Sequence, residues 1–347
     1  MGIKGFSKTF APRIIKQNDL KKSTCVIDTS IFLYQSCLGM SSIKGLTDSA
    51  GNPTIHINVL IARILNFIKS NIKQIWIMDY YEQGYSPVDK EHELVKRRKR
   101  KTNAENKINE LKQMNEEPQE EPQEEPREDH HENIIDNDEF ERKINLHEKV
   151  KFSLNAEIVN DCKFILDCFN ITWCIAPKGI EAEHLAAILT KTNELDFRAD
   201  FVYSTDVDAL LYGAKKLVRN IKSKGKKILQ LYDLDDILLD NNITQPELQK
   251  IGIILGSDHS PKTPGIGPKT VLRKFRNIEL TNEQKNAIEV FNKPIDIKNI
   301  EFNNYDNNIL EDSVKINKLL DWLETKNFSR IRIKTQILKV RPSLDIF

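Results

Sequence analysis

The sequence predicts an α/β protein with a mostly parallel central sheet flanked by helices. Three stretches carry that expectation. Phe201–Leu211 is an apolar, β-branched and aromatic run that ends on Asp206 and Asp208 and passes into the helix-like Ala209-Leu210-Leu211. Thr24–Asp28 and Gln74–Asp79 repeat the event, each a short apolar strand closing on an aspartate. Strand-helix-strand units of this kind give parallel sheets with right-handed crossovers, and ligands of such sheets lie outside the carboxyl ends of the strands.

Length and charge bound the rest. A chain of 347 residues accommodates one core of about 200–250 residues plus appendages. The 52 Lys and Arg against 51 Asp and Glu leave a net charge of +1, but a basic block and an acidic block are segregated along the chain. Five cysteines with no C-x-x-C pair predict a reduced intracellular protein without disulfides or structural zinc. The first residues lack the apolar core of a signal peptide, and the most apolar stretch, 59–68, is interrupted by Arg63 and too short to cross a bilayer. No membrane association is expected.

Asp28 precedes the helix-like Ile31–Gln35, and residues 58–70 carry apolar positions at helical spacing before the strand that ends at Asp79. A strand-end aspartate can simply cap the next helix: Asp206 would then be a cap and Asp208 a solvated acid in the first turn. Three strand-end aspartates on one sheet edge argue instead for a hard divalent cation between them. Residues 90–115 read as helix containing six consecutive cations, Lys96–Lys101, which is a solvated face, a nuclear-localisation tract or a phosphate-binding surface.

The repeat Glu116–Pro126 has proline every four residues and nothing apolar to bury, so about 115–138 is expected to be disordered, a spacer or a screen for the basic tract. Helical periodicity returns over 139–169, then a strand at 171–175, then Glu181 and Glu183 opening a helix to Thr190. Acids in a first turn answer the helix dipole, but beside the aspartates they read as further ligands. Residues 216–220 and 227–232 read as a hairpin or edge strands. A helix over 246–254, the turn Gly256-Ser257-Asp258, and Pro264-Gly265-Ile266-Gly267-Pro268-Lys269 before a helix over 270–276 read as a helix-hairpin-helix grip on DNA phosphates. Glycines there also end helices without further purpose. From 281 to 335 the pattern is amphipathic helix and packing.

These motifs resemble those of the flap endonuclease/XPG family of structure-specific 5′ nucleases, from residue 1 to about 276. The resemblance implies a PIN-like nuclease core, a helical arch and a helix-two-turn-helix region. It divides the chain into a first nuclease half (1–89), the arch with its acidic insert (90–150), a second nuclease half (151–240), the DNA-gripping and C-terminal helices (241–335) and a tail (336–347). Residues 26–35 are similar to the first motif, where the aspartate ligates metal and the tyrosine, here Tyr34, stacks on a base. Lys90 and Arg97 fall where the family keeps catalytic cations. Asp28, Asp79, Glu181, Glu183, Asp206, Asp208 and Asp258 match its metal acids in the family's order. Gly2, Arg63, Lys96, Arg98, Gly265, Gly267 and Lys269 would contact DNA.

The family pattern implies two Mg²⁺ ions, with Mn²⁺ as a substitute, and K⁺ at the helix-two-turn-helix. Asp79, Glu181, Glu183 and Asp28 would hold one divalent ion, and Asp206, Asp208 and Asp258 the other. It implies a monomer that cuts branched or flapped double-stranded DNA in replication, repair or recombination, in the nucleus or wherever that DNA is copied. The chain departs in Met78-Asp79-Tyr80, where Phe-Asp-Gly is usual, in a longer stretch from 79 to 93, and in an apparent extra residue before Glu181. Its tail keeps Leu344 and Phe347 of a sliding-clamp peptide but lacks the glutamine and second aromatic, which argues against clamp binding. The short Lys/Asn/Ile-rich form suits a large DNA virus or another AT-rich genome. A 5′ exonuclease, bubble cutter or resolvase would share every ligand. A haloacid-dehalogenase-type phosphatase has no use for Asp28, Asp79 or the hairpin, and a non-enzymatic scaffold has no need of the acids.

Overall fold

The computed structural model describes residue 3 and residues 5–38, 47–80, 91–116, 143, 154–195, 197–223, 226–303 and 312–342. Among the described residues, seven strands form one mixed sheet: β1 (Arg13–Ile15), β2 (Thr24–Asp28), β3 (Lys73–Met78), β4 (Thr172–Ile175), β5 (Phe201–Tyr203), β6 (Lys216–Ser223) and β7 (Lys226–Asp233). Their order is β1-β7-β6-β5-β2-β3-β4. The five from β6 to β4 run parallel, while β7 is antiparallel to both β6 and β1. The α/β expectation with a mostly parallel sheet is borne out, and 216–220 and 227–232 are the hairpin β6–β7.

The helices are α1 (Phe6–Thr9), α2 (Thr29–Leu38), α3 (Ile55–Lys69), α4 (Glu91–Glu116), α5 (Ala156–Cys168), α6 (Ala182–Leu189), α7 (Asp208–Leu211), α8 (Leu234–Asn241), α9 (Gln245–Leu255), α10 (Val271–Lys274), α11 (Asn282–Phe291), α12 (Ser313–Thr325) and α13 (Arg330–Leu338). Among the described residues no helix is long and apolar enough to cross a membrane.

The central strands β2, β3, β4 and β5 read as apolar runs because both of their faces are buried. Side chains alternate between the faces with period two. Val26, Ile75, Ile77 and Val202 enter one core with α6, α7, α9 and Phe291. Cys25, Ile27, Trp76, Met78, Phe201 and Tyr203 enter the other with α3, α5, α12 and α13. Trp76, at the centre, is fully buried and its indole N–H donates to Gln74 at 3.1 Å.

Local chemistry sets the helix ends. The Asn155 carboxamide accepts from Ile158 N at 2.9 Å to start α5. Thr244 and Glu247 form a reciprocal capping box at α9, which stops at Gly256 with φ +95°. Two helices are shorter than the sequence implies. The apolar run after Asp208 makes one turn and ends before Gly213, whose φ of +85° turns the chain out. The helix expected over 270–276 stops at Lys274 and tightens into a 3₁₀ turn over Phe275–Asn277. The acidic insert beyond residue 116 and the tail beyond 342 lie outside the described residues.

Candidate active site

Four adjacent parallel strands, β5-β2-β3-β4, each lead into an acid at the carboxyl end. Asp28 ends β2, Asp79 follows β3, Glu181 and Glu183 follow β4, and Asp206 and Asp208 follow β5. Strand order alone therefore collects six carboxylates on one edge.

Backbone amides then fix them. Asp28 Oδ1 accepts from Ile31 N at 2.8 Å, so it does cap α2. Asp79 Oδ1 accepts from Ala182 N at 3.0 Å, tying the end of β3 to the start of α6. Glu183 Oε1 accepts from Ala209 N at 2.9 Å, tying α6 to α7. Asp206 Oδ1 accepts from Asp208 N at 3.2 Å, while Asp206 N donates to Ser204 Oγ at 3.0 Å. The capping reading is thus partly right: Asp206 holds the first turn of α7, although Val207 occupies the position before the helix.

Capping does not account for the electrostatics. Asp28, Glu183, Asp206 and Asp208 are buried, at 3–5% exposure. Burial raises the Glu183 carboxyl well above the usual range, and the charges of Asp206, Asp208, Asp28 and Glu181 raise it further, in that order. Buried like charges at this density are costly unless a cation shares them. Among the described residues no three Asp, Glu, His or Cys side chains close into a cage. An open basin of carboxylates suits a hydrated hard cation, since Mg²⁺ keeps several waters and takes few direct protein ligands. The donor set fits a divalent metal.

Asp258 belongs to the turn after α9, where Ser257 bridges Ser260 and Ser257 Oγ accepts from His259 N at 3.2 Å. Its neighbour His259 meets the basin, with Nε2 3.7 Å from Glu181 Oε1. The Tyr212 hydroxyl donates to Glu181 Oε2 at 3.2 Å and meets His259 Nε2 at 3.2 Å. Sequence reasoning missed Tyr212 and His259. The available signals were the spacing of four from Asp208 to Tyr212, which puts both on one helical face, and a histidine directly after Asp258.

The DNA-facing expectations distribute unevenly. Tyr34 is half-buried on α2. Arg63, half-buried on α3, sits among three rings, its guanidinium carbon 5.0 Å from Tyr203, 5.4 Å from Phe67 and 5.6 Å from Phe32. It lines a cavity of about 860 Å³ between α2, α3 and the β1–β7 edge. Arg98 is exposed on α4, whose backbone is helical as expected; the side chains of Lys96 and Arg97, together with Gly2 and Lys90, lie outside the described residues. Gly265 has φ +72° with open space around it, and Lys269 is exposed beside it. A Cβ on Gly5 would fall 2.1 Å from Pro268 Cγ, and Thr9 Oγ1 donates to Pro268 O at 3.2 Å. The N-terminal turn is therefore docked on the Gly-x-Gly turn.

Comparison with known proteins adds to this geometry. Residues 1–104 match the XPG N-terminal domain and residues 170–258 the XPG I-region. Flap endonuclease 1 of Sulfolobus acidocaldarius is 31% identical over 305 residues, 83% of this chain and 77% of the relative. Flap endonuclease 1 of Leishmania braziliensis is 28% identical over 303 residues, 83% and 68%. Among solved structures, flap endonuclease-1 from Methanococcus jannaschii superposes with a TM-score of 0.66 at 24% identity, covering 98% of both chains. Human GEN1 in complex with Holliday junction DNA gives 0.57 at 15%, covering 98% of this chain and 77% of GEN1. At these identities the structural matches speak to the fold.

Proposed function

The chain belongs to the flap endonuclease family, and from that premise we propose that its acid basin cuts DNA at the junction of a duplex and a 5′ flap. It is a structure-specific 5′ nuclease of DNA replication and repair, a hydrolase of phosphodiester bonds that depends on divalent metal. The observation that carries the finer reading is the crowding of Asp206, Asp208, Asp28 and Glu181 around buried Glu183, with Asp79 of the intervening strand tied to the start of the same helix.

Asp28, Asp79, Glu181 and Glu183 would hold one Mg²⁺, and Asp206, Asp208 and Asp258 a second, with Mn²⁺ able to replace either. When bound, the ions supply an activated water and neutralise charge that develops on the scissile phosphate. The protein supplies position. Amides of Ile31, Ala182, Ala209 and Asp208 hold four of the carboxylates, so the site needs little reorganisation as charge develops. Tyr34 would stack on the unpaired base at the cleavage point. Lys90 and Arg97 would stabilise the phosphoryl oxygens as they gain charge. Gly265 and Gly267, with Lys269, would grip the downstream duplex by its phosphates, directly or through K⁺. Gly2, Arg63, Lys96 and Arg98 would extend that contact, and the chain would act as a monomer on the DNA.

Purified wild type and Asp206→Ala are compared on a 5′-labelled double-flap DNA, in Mg²⁺ and in EDTA. The expected result is a single junction-proximal cut that needs Mg²⁺ and is lost in the variant, with DNA binding retained. Mononucleotide products would move the chain to the exonucleases of the family. An active Asp206→Ala would refute the metal assignment.

A further inference from the structure

Glu181 differs from its neighbours in the basin. Its side chain is 23% exposed, where Glu183, Asp206, Asp208 and Asp28 are nearly closed off. It occupies the position before α6 but makes no capping bond to that helix. A glutamate there has several free torsions, and a metal ligand left to sample them loses affinity to its own entropy. Two buried side chains remove that freedom. Tyr212 donates its O–H to Oε2 at 3.2 Å, and His259, 2% exposed, meets the same hydroxyl at 3.2 Å through Nε2. A hydroxyl that gives its one proton to a carboxylate can only accept from the imidazole, so the chain of donors runs from His259 Nε2–H to Tyr212 Oη–H to Glu181.

The two tethers come from the segments that carry the other acids. Tyr212 closes α7, its N–H donating to Asp208 O at 3.1 Å, and His259 follows Asp258. Aromatic packing locks them. His184 stacks on Tyr212 at 4.4 Å, and Phe291 of α11 meets Tyr212 at 4.9 Å and His259 at 5.3 Å, both edge-on.

We propose that Tyr212 and His259 are positioning residues that orient the Glu181 carboxylate and hold it in fixed relation to Asp208 and Asp258, so that the two groups of metal acids are set as one unit. The inference rests on the metal-binding reading of Glu181, and its test separates the two. Mn²⁺ alone is titrated into the full-length wild type, Tyr212→Phe, His259→Phe, Glu181→Gln and the double variant Tyr212→Phe/Glu181→Gln, with unbound Mn²⁺ read by electron paramagnetic resonance. Loss of a side chain that orients a ligand costs about tenfold or more in metal affinity. Tyr212→Phe is expected to weaken Mn²⁺ binding about tenfold, His259→Phe to act in the same direction, and His259→Gln, which keeps an N–H donor, to restore part of the loss. The double variant should bind no more weakly than Glu181→Gln, since Tyr212 acts through that carboxylate. If Glu181→Gln weakens binding while Tyr212→Phe does not, the positioning role is overturned and the ligand assignment stands. Additive losses would likewise overturn it, assigning Tyr212 a general structural part. If Glu181→Gln binds Mn²⁺ as wild type does, the ligand assignment fails and the inference with it.

Discussion

Replacing Glu183 by glutamine should stabilise the metal-free protein while abolishing cleavage. Glu183 is 5% exposed and its carboxyl is raised, first by burial and then by four neighbouring carboxylates. The sign follows from linkage. An acid whose folded value is raised favours the folded state when protonated, and that advantage is lost as pH rises from its ordinary value near 4.5 through the folded one. Each pH unit in that window costs about 1.4 kcal/mol, so at pH 7.5 the ceiling is about 4 kcal/mol. For scale, one pair of like charges about 5 Å apart at an effective dielectric near 20 repels by about 3 kcal/mol. Glutamine keeps an oxygen to accept from Ala209 N and removes the charge that Asp206 and Asp208 oppose, so little is forfeited. A net gain of about 1–4 kcal/mol corresponds to a melting temperature several degrees higher. Thermal denaturation in EDTA between pH 5 and 7.5 measures it. The gap between variant and wild type should widen with pH, and added Mg²⁺ should raise the wild type far more than the variant. A variant melting at or below wild type at pH 7.5, or a gap indifferent to pH, would refute the claim that like charges are crowded at Glu183.

Three further outcomes follow from the geometry. Gly5→Ala places a Cβ 2.1 Å from Pro268 Cγ at a φ of +83°, and should cost about 1–3 kcal/mol in urea denaturation and weaken binding of double-flap DNA; wild-type affinity would mean the N-terminal turn plays no part in shaping the grip. All five cysteines are buried, and burial pushes the Cys37 and Cys174 thiols up to about 12 and Cys168 to about 11, with Cys25 and Cys162 also raised. At pH 8 a thiol-reactive chromogen should therefore label the protein only after denaturant is added, and rapid labelling of the native protein would contradict that burial. Backbone bonds from Asn52, with help from Ala50 and Lys326, hold the Asp48 carboxyl below its usual range, so its contribution to stability is present above the ordinary carboxylate value and lost as pH falls through the lowered one. Asp48→Asn should be less stable than wild type at pH 7, and the difference should shrink as pH falls below the ordinary carboxylate value; a pH-independent difference would assign the effect to packing.

The strands that position the acids were legible because sheet chemistry is local. A run buried on both faces must be apolar throughout, and an acid at its end stands out, so Asp28, Asp79 and Asp206 were readable one strand at a time. Their common edge followed from the strand-helix-strand units, but the strand order did not, since β5 lies beside β2 through pairing of Cys25 with Phe201, residues far apart in sequence. The short extent of α7 was hidden for the opposite reason: Ala209, Leu210 and Leu211 look like the start of a long helix, and Gly213 ends it by a left-handed turn that composition does not announce. Tyr212 and His259 were not singled out, because both meet a third element, Glu181, that neither one adjoins in the chain.

The docking of Gly5 on Pro268, together with the pairing of β1 on β7, governs how the protein can be made. A ribosome working from the N-terminus emits the first fifteen residues long before their partners at 229–231 and 268 exist. Until then β7 is missing from between β1 and β6, and the nascent chain exposes the unsatisfied flank of a growing sheet. Contacts across more than two hundred residues also carry a large loop-closure cost, so they form late and slowly. Synthesis must reach Tyr232 before Phe6 and Ser7 of the first turn have a partner, and must run past α9 before Pro268 is there to receive Gly5. Residues 5–15 are thus among the last parts of this fold to find their place, and truncation after residue 233 would leave them with a strand to pair but no Gly-x-Gly turn to grip.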